Sequence, residues 1–455
     1  MDREPAAAEA RRFGRTAGML SVGIGSAGLL TYVYFSLASH QLSKVDYGEV
    51  VVLWSAVFVL ISILFRPIEQ LVSRTIAERQ AHGEQIREPL RIAAAIQLGI
   101  AAAFAVVALA LRGPLKDDLL SGNETLYWIL IGAVIAYAAS FFARGFLAGT
   151  RRFLLYGCLL LAESLARMSF ALAVAVGIAS GQSAVALGII AAPVLSLTVV
   201  PLAFGRRALR DSTPAVAEPA KSEFTLAYGG GFAAAVLLIM VSEQSLLSAG
   251  PLLVRASEGA AAAGFIFNVL MIARAPLVLF QAFSTSLLPH LTRLRSKATA
   301  GDREAFRLSI RLTVAAIVAF TAAVALVVLA AGPQAMQLAF GKKFDYDRAG
   351  LLIVTVGMGL YLSSWTLNQA AVAQGQVRRA AACWVSAAVA FVAWNLLPVL
   401  DEFRRVEVGF AGAAALLCTL LFILYRHPRV RPADVLEPGS PQEMEARLAA
   451  ADEVS

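Results

Sequence analysis

Five ionisable side chains lie within apolar stretches of the sequence, where a charge needs a partner or water: Arg66, Glu163, Arg167, Glu243 and Arg274. Glu163 and Arg167 are four residues apart, so on a helix they lie one turn apart on the same face and can form an ion pair. Arg274 has no acid one turn away in its own stretch. We assign no catalytic residue, no metal ligand and no enzymatic activity.

The apolar surroundings restrict what these charges can do. An ionised side chain near the centre of a bilayer costs at least a few kcal/mol, so each one needs a partner or a water-filled cavity. One interpretation is that the five residues line a central cavity that attracts an anionic head group. The other is that Glu163–Arg167 is a structural pair between helices, and that Arg66 reaches the inner membrane surface by snorkelling.

Arg274 favours the cavity interpretation, because an arginine without an acid on its own helix face needs water, a neighbouring helix or a ligand. We expect Pro276, two residues later, to disturb the helix and free backbone carbonyls. Glu243 is predicted in the outer half of its stretch, from which it can reach Arg274 if the two helices are neighbours. The two interpretations of Glu163–Arg167 stay open.

The apolar stretches themselves define the fold class. Hydrophobic residues make up 58% of the 455 residues and charged residues 15%, and the mean hydropathy is +0.70. Apolar runs of about 20 residues recur, which is the length that crosses a hydrocarbon core of about 30 Å. The sequence therefore predicts an all-α, polytopic membrane protein with about twelve transmembrane helices. The predicted spans are Thr16–Ser39, Glu49–Val72, Ile92–Leu111, Leu126–Leu147, Leu154–Val176, Ala184–Phe204, Thr225–Ser248, Ala262–Leu288, Leu312–Ala331, Leu351–Gln374, Ala380–Leu400 and Val408–Tyr425.

The polar segments divide these spans evenly. Residues 1–15 form a polar N-terminal segment, 16–204 a first six-helix bundle, 205–224 a linker, 225–426 a second six-helix bundle, and 427–455 a tail predicted to be disordered. The two halves resemble each other. Ala148–Phe153 and Gln374–Ala380 each place a glycine and an arginine pair after a span, and Asp46–Gly48 and Ala263–Phe265 stand near the starts of corresponding spans. An even number of spans in each half predicts a parallel repeat.

Lysine and arginine set the predicted orientation. With both termini in the cytoplasm, the cytoplasmic segments hold about three times as many of these residues as the outer loops, as the positive-inside rule requires. The net charge of +8 thus reflects orientation in the cytoplasmic (inner) membrane and not binding of nucleic acid. Cys158, Cys383 and Cys418 each fall inside a predicted span without a metal motif, so we predict no disulfide.

Loose motifs recur in order along nearly the whole chain: Leu42–Gly48, Arg144–Phe153 before the span with Arg167, Ser286–Leu294 followed by Gly301–Glu304, and Leu338–Phe344. In these stretches the sequence resembles the polysaccharide-transport (Wzx-like oligosaccharide flippase) family of the multidrug/oligosaccharidyl-lipid/polysaccharide exporter superfamily. The resemblance implies two six-helix bundles, as in MATE proteins, around a central cavity that opens alternately to either side of the membrane.

The resemblance also implies a substrate. It would be an oligosaccharide linked to polyprenyl pyrophosphate, moved between leaflets for envelope polysaccharide assembly, and mid-membrane arginines suit its pyrophosphate. Membrane lipids, a polysaccharide polymerase and glycosyltransferases are the implied partners. No cofactor is expected, although such families couple transport to protons or sodium. No binding residue carries over by motif, so the candidate cavity residues rest on the charges described above.

Other functions remain as alternatives. A cation-coupled multidrug exporter of the same superfamily needs a buried carboxylate in its first spans, which the first span lacks. A peptidoglycan-precursor flippase has similar chemistry but usually about two more spans. A membrane glycosyltransferase needs a sizeable outer loop with catalytic acids, whereas the loop His40–Glu49 is short. A major-facilitator transporter would carry an Asp-Arg signature that is missing from Thr75–Leu90, and a non-transporting scaffold would share the fold.

The predicted orientation can be tested by cysteine scanning in a variant that lacks the three native cysteines. An impermeant thiol reagent added from outside should label cysteines placed at Ser121 and Asp345, and should not label cysteines at Ala81 and Ala298. Labelling at Ala81 from outside would contradict both the orientation and the span boundaries.

Overall fold

A computed structural model describes residues 23, 25–81, 83–199, 226–284 and 300–426. These residues are almost entirely helical, as the apolar runs predict. Short turns join most of the helices. The helices are α1 (25–41), α2 (Lys44–Leu64), α3 (Arg66–Ala81), α4 (Arg87–Ala110), α5 (Glu124–Gly149), α6 (Phe153–Ala175), α7 (Gly181–Ser196), α8 (Leu226–Glu258), α9 (Ala260–Ser284), α10 (Ala300–Phe340), α11 (Arg348–Ala373), α12 (Val377–Asn395) and α13 (Glu402–Arg426).

The helix lengths confirm a multi-pass membrane protein. In the described part of the chain, 10 helical segments are long and apolar enough to cross a bilayer. The helices α2 and α3 form one of them, Lys44–Gln80, with a break at Phe65. The helices α1 and α9 occupy the predicted first and eighth spans, which gives the twelve that the sequence predicts.

Helix packing separates the chain into two bundles. In the N-terminal bundle, α5 packs on α2, α3, α4 and α7, and α6 packs on α7. In the C-terminal bundle, α11 packs on α10 and α13, and α12 packs on α8 and α13. Contact between the bundles is made mainly by α2, which packs on both α8 and α9. The helix α2 is therefore the main structural link between the two halves.

Side-chain caps fix the helix ends at the face that the sequence predicts to be outer. The Ser43 hydroxyl accepts a hydrogen bond from the Asp46 amide (3.1 Å) at the start of α2. The Asp347 carboxylate caps α11 by accepting from two backbone amides (3.1 and 3.2 Å). Such caps satisfy amides that a helix leaves unpaired. Partial burial acts to raise the pKa of Asp347, but hydrogen bonds from Arg404 and from the capped amides hold it below its ordinary value.

Gly48 and Gly264 bring the two halves into backbone contact. A β-carbon on Gly48 would overlap the carbonyl of Ala260, and one on Gly264 would lie 3.0 Å from the Gly48 α-carbon. The sequence predicts these glycines at corresponding places near the starts of the second and eighth spans. In the structure these two places pack against each other, so corresponding positions of the two halves are in contact where α2 packs on α9.

Two helices continue past prolines. The helix α8 continues through Pro251 to Glu258, whereas the sequence predicts its span to end at Ser248. It does so because the proline ring removes one backbone hydrogen bond without ending the helix. The helix ends one residue before Gly259, which has a φ of +86°. Glu243 lies near the middle of α8, and its predicted position in the outer half of the span stays a prediction. The helix α9 likewise continues past Pro276, so the expected disturbance does not break it.

Several predictions fall on residues outside the described ranges. They are the N-terminal segment, the linker 205–224, the tail 427–455 and the motif Ser286–Leu294. The orientation of the chain in the membrane also stays a prediction. For clarity we keep the term outer for the end of the molecule that carries the turn between α1 and α2.

The close approach at Gly48 predicts a large effect of a single methyl group. Gly48→Ala should lower the free energy of unfolding by about 1–3 kcal/mol, because the new β-carbon meets a backbone carbonyl that cannot turn aside. Gly99→Ala on α4 is the matched control: it adds the same methyl group at an exposed site with nothing within 4 Å. Thermal unfolding in detergent should show a lower midpoint for Gly48→Ala alone. Equal midpoints would contradict the contact.

Candidate functional site

Glu163 lies at the centre of a buried network in the N-terminal bundle. One carboxylate oxygen accepts from the Arg167 guanidinium (3.3 Å), as the four-residue spacing predicts. The other oxygen accepts from Arg144 on α5, and the Ser140 hydroxyl lies 3.4 Å from it. The predicted pair is therefore a triad of two arginines sharing one glutamate, and it joins α5 to α6.

The Arg167 guanidinium has further partners on other helices. It donates hydrogen bonds to the Tyr137 hydroxyl (2.9 Å) and the Thr31 hydroxyl (3.3 Å). Its charged carbon lies 4.2 Å from the centre of the Trp54 ring, a distance typical of a cation–π contact. Arg167 thus contacts four helices (α1, α2, α5 and its own α6), and its side chain is only 4% exposed.

A second acid balances the charge of this network. Glu69 on α3 accepts a hydrogen bond from the Tyr156 hydroxyl (2.9 Å) and lies within electrostatic reach of Arg144. The network then holds two arginines and two glutamates and has no net charge. A neutral, internally bonded set of buried charges is typical of a structural role, so the geometry favours the structural interpretation of Glu163 and Arg167.

Glu243 is the centre of a second cluster, in the C-terminal bundle. Its carboxylate accepts hydrogen bonds from the Tyr361 hydroxyl (2.9 Å) and the Trp365 ring N–H (3.4 Å), both on α11. Its other oxygen lies 3.8 Å from the guanidinium of Arg66 in the N-terminal bundle. Arg66 therefore has an electrostatic partner across the interface between bundles, and snorkelling is not needed to explain it.

Arg274 lies close to this cluster without a full set of partners. It is near enough to Glu243 and Tyr361 to interact electrostatically with both. Its Nε and Nη2 atoms are buried and have no hydrogen-bond partner among the described residues. The Nε atoms of Arg144, Arg167 and Arg405 lack a partner as well, but Arg274 is the one arginine in the described chain with a second such nitrogen. The chemistry at Arg274 thus calls for an acceptor that the described chain does not provide.

We call Arg66, Glu243, Arg274, Tyr361 and Trp365 the apex cluster. Its formal charge is +1, since it contains two arginines and one glutamate. Glu69 lies within electrostatic reach of both Arg66 and Arg144, and the two networks taken together hold four arginines and three glutamates, so the excess of +1 remains. Its carboxylate is approached by N–H and O–H donors, and its two guanidiniums are themselves donors. A set of donors with an excess positive charge can bind an anion that offers oxygen acceptors. It is a poor place for a cation.

The apex cluster lies below an interface that closes the outer end of the two bundles. We call this the outer interface; its hydrogen bonds run from Ser36 to the Ala339 carbonyl (2.5 Å), Tyr47 to Asn268, Arg255 to the Leu119 carbonyl (3.1 Å) and Ser121 (2.9 Å), and Lys343 to the Leu42 carbonyl. Arg66 lies 18 residues after Gly48, about 27 Å along the helix at 1.5 Å per residue. Among the polar contacts between the bundles in the described chain, Arg66–Glu243 is the one farthest from Gly48 along α2 and α3.

Of the five predicted site residues, the structure brings three together and separates two. Arg66, Glu243 and Arg274 share the apex cluster, whereas Glu163 and Arg167 lie inside the N-terminal bundle. The described residues contain no group of acidic, histidine or cysteine side chains that could hold a metal ion.

Sequence reasoning missed the partners of these residues, although helical spacing could have found them. Tyr137, Ser140 and Arg144 recur at intervals of three and four residues along α5 and so share one face. Tyr361 and Trp365 do the same on α11. A polar stripe at helical spacing in an apolar run is the signal that marks both networks.

Comparison with known proteins shows the fold. No known family profile matches the sequence, and no curated protein matches it. Solved structures do match. A multidrug resistance MATE family transporter of the MOP superfamily, in an inward-facing conformation, has 12% sequence identity and a TM-score of 0.66 over 90% of this chain and 97% of its own. The MATE transporter VcmN of Vibrio cholerae has 16% identity and a TM-score of 0.58 over 91% of this chain and 97% of its own.

A MOP superfamily transporter from Pyrococcus furiosus has 14% identity and a TM-score of 0.59 over 90% of this chain and 94% of its own. The published description of that protein states that the reverse polarity of its binding pocket suggests a different function. At these identities the likeness concerns the fold. The predicted two-bundle, MATE-like architecture is thereby confirmed.

The triad around Glu163 predicts an order of destabilisation. Glu163→Gln should lower folded yield most, because it leaves two buried guanidiniums with Glu69 as the one remaining acid of the network, a loss of about 3–5 kcal/mol. The sequence alone predicts that neutralising both Glu163 and Arg167 restores folding. With Arg144 as a third member, we expect no full recovery. Glu84→Gln, which removes an exposed carboxylate paired with Arg79 (3.5 Å), is the control. Yield is measured by size-exclusion chromatography, and wild-type yield for Glu163→Gln would contradict a structural role.

Proposed function

We propose that the chain is a flippase that moves an oligosaccharide linked to polyprenyl pyrophosphate across the cytoplasmic membrane by alternating access. The observation that carries the proposal is Arg274, a buried guanidinium with two unpaired donor atoms in a cluster of net charge +1. The cluster lies between the two bundles, beyond the outer interface along α2 and α3. In the proposed mechanism, the substrate's pyrophosphate supplies the missing acceptors.

The chemistry of the guanidinium supports a phosphate ligand. Arginine presents its N–H donors in a planar fork that matches two oxygens of a phosphate group, and charge-assisted hydrogen bonds of this kind are among the strongest in proteins. A neutral sugar offers no comparable partner for a buried positive charge. The pyrophosphate is also the part of a lipid-linked oligosaccharide that stays the same when the glycan changes.

The shape of the interface supports the direction of entry. Among the polar contacts between the bundles in the described ranges, Arg66–Glu243 lies beyond those of the outer end along α2 and α3. A substrate that enters between the bundles from the cytoplasmic leaflet would therefore meet Arg66 and Arg274 before it meets the outer interface. Release to the other side then requires separation of the outer interface, which is held by hydrogen bonds and aromatic contacts and is compatible with reversible opening.

The charge of the apex cluster weighs against a cation-coupled multidrug exporter. A site for a cationic drug would need an excess of acids, whereas the one acid here, Glu243, is outnumbered by two arginines. The Pyrococcus furiosus relative, described as having a binding pocket of reverse polarity, is a precedent for a changed charge on this fold. A peptidoglycan-precursor flippase would use the same pyrophosphate chemistry, so the glycan has to separate these two substrates.

The remaining elements of the proposal follow from the substrate. Glycosyltransferases would build the lipid-linked oligosaccharide, and a polysaccharide polymerase would consume it after transfer. Both are proposed partners, together with membrane lipids. Coupling to a proton or sodium gradient stays open.

Arg274 gives the sharpest test. Arg274→Lys should keep the charge but lose the planar fork, and Arg274→Gln should lose both. We expect translocation of a labelled polyprenyl-pyrophosphate oligosaccharide into proteoliposomes to fall about tenfold in the first variant and further in the second, in line with the loss of hydrogen bonds to a charged group. Protein amounts are matched between samples.

Arg112→Gln is the control, since Arg112 is an exposed arginine that pairs with Glu124 (2.6 Å). It should transport at the wild-type rate. A substrate with a peptidoglycan-type glycan is run in parallel, and faster transport of that substrate would favour the alternative flippase. Wild-type rates for Arg274→Gln would contradict the proposed role of Arg274.

A further inference from the structure

The Arg66–Glu243 contact differs from every other ion pair in the described chain. All the others join residues of the same bundle, for example Arg144–Glu163 in the first and Arg404–Asp347 in the second. Arg66–Glu243 alone, among the described residues, joins the two bundles. Its position below the outer interface means that any change in the angle between the bundles at this depth changes the distance between these two charges.

The two oxygens of Glu243 are bound to opposite bundles. The first accepts from Tyr361 (2.9 Å) and Trp365 (3.4 Å) in its own bundle. The second faces Arg66 at 3.8 Å, which is longer than a direct charge-assisted hydrogen bond. The Arg66 side chain is 36% exposed, whereas that of Glu243 is 11% exposed. Glu243 is thus fixed to the C-terminal bundle, and Arg66 is held loosely enough to exchange its partner.

We propose that Arg66 is a second substrate ligand, and that Glu243 takes the place of the substrate's phosphate as the partner of Arg66 in the empty protein. When the substrate binds, Arg66 exchanges the carboxylate of Glu243 for the phosphate. The inference rests on the proposed function, because it takes the ligand of Arg274 to be a phosphate. In the empty protein, Glu243 compensates Arg66 and links the bundles. A phosphate bound at Arg274 brings more acceptor oxygens and more negative charge to the same place, so it competes for Arg66.

Two consequences follow for the transport cycle. Substrate binding breaks the one ion pair that holds the bundles at this depth, so the angle between the bundles becomes sensitive to the ligand. The ligand must also outcompete a carboxylate. The apex cluster therefore selects phosphate and pyrophosphate groups over anions with a single weak charge, which cannot displace the carboxylate of Glu243. A ligand shifts the populations of the empty and bound arrangements of the bundles only if its interactions differ between them.

The binding test is a double-mutant cycle on the full-length protein in lipid nanodiscs, with polyprenyl pyrophosphate that carries no sugar as the probe. Glu243→Gln should raise probe affinity about tenfold, since it removes the competitor while keeping the shape of the side chain. Arg66→Gln should lower it. The gain from Glu243→Gln should vanish in the Arg66→Gln background, because the two changes act on one interaction.

A second measurement follows the bundles themselves. Spin labels at the exposed positions Gln80 on α3 and Arg378 on α12, in a variant without the native cysteines, report the distance between the bundles. The probe should change this distance distribution in the otherwise unaltered protein. In Glu243→Gln, the empty protein should already show part of that change. Lys116→Gln, far from the apex cluster, is the control and should leave both readouts unchanged.

The outcomes separate this inference from the proposed function. Probe binding that depends on Arg274 but is weakened by Glu243→Gln, or a gain that persists without Arg66, overturns the inference and leaves the proposed function in place. Absence of Arg274-dependent probe binding overturns both. If Glu243→Gln does not fold, Arg66→Gln alone decides. The variant should bind the probe more weakly if Arg66 is a ligand, and with unchanged affinity if Arg66 only connects the bundles.

Discussion

The cost of an ionised side chain in an apolar interior is the constraint on which this structure depends. Each buried charge must be balanced or hydrated, and the two bundles meet the requirement differently. The N-terminal bundle balances Arg144 and Arg167 with Glu163 and Glu69 and uses the resulting bonds to join its helices. The C-terminal bundle leaves Arg274 with buried donors that lack partners. Charge balance, and the second unpaired nitrogen of Arg274 where Arg144 and Arg167 each have one, thus distinguish the network around Glu163 from the proposed binding site.

The position of that site depends on how the bundles meet. Gly48 and Gly264 allow α2 and α9 to approach at backbone distance near the outer end. The hydrogen bonds of the outer interface use neutral hydroxyls, backbone carbonyls and two cations, Arg255 and Lys343. Burial and the nearby charge of Lys44 lower the pKa of Lys343 from its ordinary value, so its interaction with the Leu42 carbonyl is the part of this interface most sensitive to alkaline pH.

Much of the fold could be predicted from the sequence, because a bilayer imposes a length and an apolarity on every span. The helix i, i+4 rule also gave the Glu163–Arg167 contact. What the sequence could not give was any contact between helices far apart in the chain. Arg144 completes the triad from 19 residues away, and Arg66 meets Glu243 from the other bundle. The predicted end of the seventh span at Ser248 was also too early, since α8 continues through Pro251 to Glu258.

The excess charge at the apex also bears on which relatives share a function. A fold can be kept at 12–16% sequence identity because apolar residues replace one another on lipid-facing and packed surfaces at little cost. The sign of the charge in the apex cluster, in contrast, cannot change at little cost. Reversing it would require replacement of Arg66 and Arg274, which lie in different bundles. A change from the proposed anionic substrate to a cation would therefore require both bundles to change.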